Sequence, residues 1–286
     1  MDFGGTKILT GAMTENGDIL CEPVKVPTNG DEAPEKIITR LIDSIYAVLG
    51  KTNLAVEDIK GIGMGVTGPL DIKNGTILEC PQLPTLHFFP LRKTVEEQFQ
   101  KPVYMNNDAN CLIYGETLFG SGVGKNPVIG FTLGTGVGCA IIIDKKIFNG
   151  FTESAGEIWP SPYGNGTIED LVSGTGISKI YKNISGIEKS GLEIFKLADE
   201  GDISALTTWQ EFGKHLSFAI SWAINIIDPE LVILGGSISN AFNFFAPSME
   251  KELRKHICPT PASKTKIVCA KLGPNAGFIG AAALIL

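Results

Sequence analysis

Three glycine turns, each placed where an apolar strand pattern ends, constrain this chain more than any other feature. D-F-G-G-T-K (Asp2 to Lys7) opens it, T-L-G-T-G-V-G (Thr132 to Gly138) lies near its middle, and L-V-I-L-G-G-S (Leu231 to Ser237) comes late. A glycine without Cβ lets backbone N–H groups point at an anion with no side chain in the way. Gly4, Gly5 and Thr6, Gly134 and Gly136, and Gly235 and Gly236 are the residues so placed, and Thr135 adds a hydroxyl donor. A lone G-T-G is more often a hairpin that needs glycine for positive φ. Three such turns, separated by more than enough chain to build a sheet, point instead to an α/β fold that holds phosphate.

The strands and helices between the turns follow hydrophobic periodicity. Residues 2 to 26 read as a β-hairpin with a turn at Glu15 to Asp18, and Asp31 to Leu49 as an amphipathic helix ended by Gly50. Ile59 to Val66 reads as a strand entering the loop Thr67 to Asp71, and the chain from Lys73 to Pro90 is broken by Gly and Pro into a loop. A helix over Leu91 to Phe99 precedes a strand, Val103 to Met105, that delivers N-N-D-A-N (Asn106 to Asn110) to its carboxyl end, where ligands of open α/β sheets collect. Asn107 or Asp108 would cap the helix Ala109 to Phe119. Asn126 to Leu133 and Cys139 to Asp144 are strands either side of the second glycine turn. Helices are expected over Ile168 to Tyr181, Gly191 to Glu200, Ile203 to Ile227, Ala241 to His256 and Asn275 to Leu286, with strands Leu231 to Leu234 and Lys266 to Ala270.

Composition narrows the function. The 286 residues are 43% hydrophobic, enough for two lobes with sizeable cores. A net charge of -7 argues against nucleic acid as the main partner, since phosphate-backbone binding needs clustered Lys and Arg. Six scattered cysteines with no C-x-x-C pair read as buried free thiols of a reducing cytoplasm. No charged-then-apolar leader and no apolar run of about 18 residues is present, so no membrane association is expected. A dinucleotide dehydrogenase is excluded: no G-x-G-x-x-G follows the first strand, and G-T-G-V-G leads into a strand, not a helix.

The order of these motifs resembles that of the ROK family of sugar kinases, within the actin-like ATPase superfamily, over nearly the whole chain. D-F-G-G-T-K resembles the family's first phosphate motif, T-G-P-L-D (Thr67 to Asp71) its first sugar loop and N-D-A-N (Asn107 to Asn110) its catalytic helix start. L-G-T-G-V-G resembles the second phosphate motif, A-G-E (Ala155 to Glu157) and I-E-D-L-V-S-G (Ile168 to Gly174) the sugar-binding carboxylates, and L-G-G the adenosine motif. The resemblance implies an α/β, two-lobed actin-like (ribonuclease H-like) fold, with a small lobe at 1–115 and a larger one at 116–286 whose last helix folds back toward the first. It implies Asp108 as the base that takes a sugar hydroxyl proton, and Asn107, Glu157 and Glu169, with Gly68 and Gln82, as sugar contacts. ATP would lie on Asp2, Gly4, Gly5, Thr6, Lys7, Gly134, Thr135, Gly136, Gly235 and Gly236, with Mg²⁺ held by Asp2 through water. Dimerisation is the habit of the family.

The chain departs from that family in three places. Strand one normally begins several residues before its Asp, whereas Met1 directly precedes Asp2, so a short first strand is expected. Most members continue A-G-E-I-G-H and then carry a C-x-C-G-x-x-G-C zinc loop, but here E-I-W-P-S-P-Y-G-N-G-T-I-E (Glu157 to Glu169) has neither the His nor the cysteines, and no zinc site is expected. Trp159, Pro160 and Pro162 are expected to stiffen this loop, and Trp159 or Tyr163 to stack on a sugar face. Gln82 stands where glucose kinases of the family usually have Asn. The first reading is therefore an ATP-dependent kinase of the 6-hydroxyl of glucose or a close aldohexose. Kinases of N-acetylmannosamine, N-acetylglucosamine or fructose, polyphosphate as donor, a sugar-responsive repressor and a non-catalytic sugar sensor are the alternatives.

Overall fold

The computed structural model describes residues 1–286. The chain runs β1 (Asp2–Phe3), β2 (Lys7–Thr10), β3 (Val24–Pro27), α1 (Pro34–Thr52), β4 (Ile62–Val66), β5 (Leu70–Asp71), β6 (Thr76–Ile77), α2 (Leu91–Phe99), β7 (Val103–Asn107) and α3 (Asp108–Phe119). It continues with β8 (Val128–Leu133), β9 (Val137–Ile143), β10 (Lys146–Ile147), β11 (Pro162–Tyr163), β12 (Gly166–Thr167), α4 (Ile168–Leu171), α5 (Gly174–Ser185), α6 (Gly191–Asp199), α7 (Ile203–Ile227), β13 (Leu231–Gly235), α8 (Phe242–Leu253), β14 (Lys266–Cys269) and α9 (Ala276–Ala283). Two compact units result, one of residues 1–120, 150–153 and 272–286, the other of residues 121–149 and 154–271. No helix is long and apolar enough to cross a membrane.

The first unit holds a sheet of order β3-β2-β1-β4-β7, in which β1 pairs antiparallel with β2 and parallel with β4. The strand β1 is two residues long, the short first strand expected from the sequence. Helices α1 and α2 cover the sheet with Ile37, Leu41, Ile45, Leu91 and Val95, spaced to present one apolar face. On α3 and α9 small residues let backbones touch: a Cβ on Gly280 would lie 1.6 Å from the Cys111 carbonyl oxygen. The helix α1 passes through Gly50 and ends at Asn53, which takes the left-handed cap (φ 54°). Leu49 and Gly50 carbonyls accept from the cap amide, so Gly50 itself has no need of positive φ, and the expected end is corrected by one turn.

The second unit holds a sheet of order β10-β9-β8-β13-β14, antiparallel at β8–β9 and parallel at β8–β13–β14. Its core packs Phe131, Leu133, Trp209, Phe212, Leu216, Ile220 and Phe245 from both sheet and helices. The helix α7 has the bounds expected from its apolar pattern, with Asp202 accepting from Ala205 N (2.7 Å) at the start and Asp228-Pro229 at the end. The single helix expected over Ile168 to Tyr181 is instead two, α4 and α5. Ser173 breaks them apart by capping α5 through Gly176 N (3.2 Å), a local bond that competes with continuing the helix.

Candidate functional site

In the first unit the glycine turn after β1 is drawn tight by Gly4 N donating to Lys7 O (3.0 Å), and Thr28 Oγ1 donates to Gly4 O (2.6 Å). Gly5 is packed against Gln82: a Cβ there would come within 2.5 Å of the Gln82 Cβ. The first turn and the loop that carries Gln82 are thus one feature. The Asp2 carboxyl faces Gly277 of α9, where a Cβ would lie 3.1 Å from Oδ2. Burial raises its pKa above the ordinary carboxylate value, with the Lys7 ammonium opposing. A half-buried hard oxygen donor of this kind fits a divalent cation such as Mg²⁺, whose charge would favour the ionised form.

The parallel pair β4 and β7 aligns Val66 with Asn107, so Gly68 and the N-D-A-N segment leave the same edge of the sheet. The amide Nδ2 of Asn107 lies 3.2 Å from where a Gly68 Cβ would be. Asn107, not Asp108, caps α3: its Oδ1 accepts from Ala109 N (2.9 Å) and Asn110 N (3.4 Å). Asn106 stiffens the corner, accepting from Asn107 N (2.8 Å) and Asn110 Nδ2 (2.8 Å). Asp108 is therefore the first residue of the helix, half-buried, with Oδ1 accepting from Ala109 N (2.8 Å).

In the second unit the turn between β8 and β9 is closed by Gly134 N donating to Gly136 O (3.0 Å). Glu169 is on the first turn of α4, and its carboxylate does more there than complement a helix dipole: Oε2 accepts from Val137 N (3.0 Å), directly beside Gly136. A Cβ on Gly136 would lie 2.4 Å from that oxygen, whereas at Gly134 nothing lies within 4 Å. Gly134 O accepts from Gly174 N (2.8 Å), which brings the start of α5 to the same turn. Thr135 is exposed at its tip. Gly236 has φ 84° and would clash with Leu133 O at 2.2 Å if it had a Cβ, so the third glycine turn is fixed against the end of β8 by close approach. Gly235 ends β13 opposite Thr132 of β8. Glu157 is exposed, and its Oε2 accepts from the indole Nε1 of Trp159 (2.7 Å).

Among the first unit's candidates the structure gathers Gly68 with Asn107, heading α3 beside Asp108, and Gly5 with Gln82, in the turn after Asp2. Among the second unit's it gathers Gly134, Gly136, Glu169 and Gly236, with Glu157 tied to Trp159. One face of Tyr163 is taken up within the unit: its ring is stacked on Phe218 (centroids 4.5 Å, 22°) and its hydroxyl meets His215 Nδ1 (3.0 Å). Three contributors escaped the sequence reading. Glu153 accepts from Ile72 N and from Lys73 N (2.9 Å), while Arg92 donates to the Lys73 carbonyl (3.0 Å), so both clasp the hairpin that follows Thr67 to Asp71. Gly174 was seen only as the end of a motif, although the S-G-T-G stretch (Ser173 to Gly176) repeats the G-T-G of the second turn.

Two five-stranded sheets in one chain, each with a glycine turn beside its central strands, define the actin-like ATPase fold. The ROK family profile matches residues 1–286, and the chain belongs to the ROK family. A glucokinase of Halalkalibacterium halodurans is 29% identical over 100% of this chain and 93% of its own length. An N-acetyl-D-glucosamine kinase of Photobacterium profundum is 30% identical over 99% of this chain and 97% of its own. Among solved structures, a ROK family glucokinase from Streptomyces griseus in complex with glucose and AMPPNP superposes with a TM-score of 0.81 at 29% identity, covering 99% of this chain and 97% of that one.

Proposed function

We propose that this chain is a hexose kinase that transfers the γ-phosphoryl group of ATP to the 6-hydroxyl of glucose or a close aldohexose. The observation that carries the reading is the division of labour at the start of α3. Asn107 caps the helix through both Ala109 N and Asn110 N, whereas Asp108 shares only the Ala109 bond from within the first turn, and its carboxylate stands at a strand's carboxyl end beside the loop of Gly68. The glycine turns beside β1 and β8, and the relatives' names, support ATP as donor.

In this reading Asp108 accepts the proton of the 6-hydroxyl as the oxygen–phosphorus bond forms and the bond from the γ-phosphorus to the β,γ-bridging oxygen breaks, releasing ADP. The backbone N–H groups of Gly4 to Lys7 and Gly134 to Gly136 hold phosphate oxygens, with Thr6, Thr135 and Lys7 beside them, and Gly235 and Gly236 leave room for the nucleoside. Asp2 would hold Mg²⁺, which would supply charge neutralisation of the phosphates. Asn107 orients the sugar by donating from its amide Nδ2, its Oδ1 being held by the helix start, and Glu157 and Glu169 by accepting from its hydroxyls, with Gly68 and Gln82 shaping the loop. Such contacts need no metal at the Glu157 to Glu169 loop. N-acetylglucosamine is the second reading, favoured by relatives at 30% identity named as its kinases. Positional analysis of the product by phosphorus-coupled proton NMR tests the chemistry: a phosphate on O6 is expected, and a phosphate on the anomeric oxygen would refute the assigned nucleophile.

A further inference from the structure

Trp159 bonds the carboxylate of Glu157 and the backbone of Glu169, the two candidate sugar-binding acids. Its indole Nε1 donates to Glu157 Oε2 at 2.7 Å, a charge-assisted bond at the short end of the usual range. Its carbonyl accepts from Glu169 N (3.2 Å), and the neighbouring Ser161 O accepts from Ile168 N (3.0 Å). The segment that carries Trp159 is itself held from behind. The strands β11 and β12 pair Tyr163 with Gly166, and Tyr163 is clamped on α7 by its stack on Phe218 and its bond to His215. From the far side Glu169 Oε2 is fixed by Val137 N (3.0 Å). One oxygen of each carboxylate is thereby committed to an N–H donor of the protein, and the two are linked by a single residue.

We infer that Trp159 is the positioning residue of the sugar site: it sets the rotamer of Glu157 and the backbone of Glu169 together, so that one oxygen of each faces a vicinal pair of ligand hydroxyls. The inference rests on the hexose-kinase reading and deepens it. A free Glu side chain at an exposed loop samples several rotamers, each costly to freeze when a sugar binds. Pre-setting one of them lowers that cost before the sugar arrives. The exposed part of the indole, 44% of the residue, also leaves an apolar ring edge beside the carboxylate.

The test is a double-mutant cycle on steady-state kinetics with ATP, Mg²⁺ and the best sugar. Trp159→Phe keeps the ring and removes the N–H donor. It is expected to raise the sugar KM about 10-fold, to leave the ATP KM within about twofold, and to add less than about twofold when Glu157 is already Met, which has no oxygen acceptor. A role in packing alone would lower the melting temperature and give the same KM change in both backgrounds, which overturns the inference, as does an unchanged sugar KM. In ¹⁵N-labelled protein one of the three indole N–H resonances is expected to shift in Glu157→Gln and to be the one lost in Trp159→Phe; a different resonance responding overturns the bond itself. Wild-type protein silent on every hexose refutes the hexose-kinase reading first, and the wild-type arm separates that outcome from a failure of Trp159.

Discussion

Replacing Gly136 by Ala and Gly134 by Ala separates two glycines that a motif treats alike. At Gly136 the new methyl would sit 2.4 Å from Glu169 Oε2, the oxygen that accepts from Val137 N, whereas at Gly134 nothing lies within 4 Å. The clash is with the end of a flexible side chain, so Glu169 swings away and the unit stays folded without that bond. A hydrogen bond to a charged group contributes about 1.5 to 3 kcal/mol, and half-exposure of the carboxylate discounts this to about 1 to 2 kcal/mol. For units of this size that is a fall of roughly 2 to 8 °C in melting temperature. Gly134→Ala has open space and no positive φ, so it is expected to be neutral or to stabilise by up to about 1 kcal/mol through the unfolded chain. Thermal unfolding of the two variants without ligands checks this. Equal melting temperatures for both, or a lower one for Gly134→Ala, would refute the placement of Glu169 at the turn.

Further expectations follow from single residues. Asp108→Asn should lower kcat by about 10²- to 10⁴-fold, while the melting temperature holds because Asn107 is the cap. Asn107→Ala removes that cap and should cost about 0.5 to 2 kcal/mol in urea unfolding, and Asn107→Asp should restore stability but not sugar affinity, since it caps without the amide donor. Asp2→Asn should abolish turnover yet stabilise the metal-free protein at neutral pH. The sign comes from burial, which raises the Asp2 pKa above the ordinary carboxylate value: the wild-type carboxyl costs nothing below its unfolded pKa and destabilises progressively as pH rises from there to its folded pKa, the cost then staying level. The gap between variant and wild type in urea midpoint should therefore close at acid pH, and a gap that widens there would contradict the assigned burial.

What the sequence made legible is what depends on local chemistry. The bounds of α7 follow from Asp202 at one end and Asp228-Pro229 at the other, and the end of β1 from the first glycine pair. The glycine turns after strands made a phosphate-holding α/β fold legible, and the resemblance of their order to the ROK family implied the actin-like arrangement. The end of α1 was not, because Gly50 and Asn53 both tolerate a left-handed cap and only packing of Val48 and Leu49 decides between them. Nor was the break at Ser173, where a side-chain cap outweighs apolar spacing. At the candidate site the residue types were visible but their partners were not. The bonds from Val137 to Glu169 and from Trp159 to Glu157, and the clasp of Glu153 on the loop at Ile72 and Lys73, are set by tertiary geometry that no spacing encodes.

The measurement that bears most directly on the hexose-kinase reading is ADP release, coupled to NADH oxidation, with ATP and Mg²⁺ across glucose, mannose, fructose, N-acetylglucosamine and N-acetylmannosamine. Sugar-dependent turnover that is strongest with glucose or a close aldohexose, and that disappears in Asp108→Asn, is the predicted result. Turnover that persists in Asp108→Asn, or none on any sugar with either ATP or polyphosphate, would contradict the account.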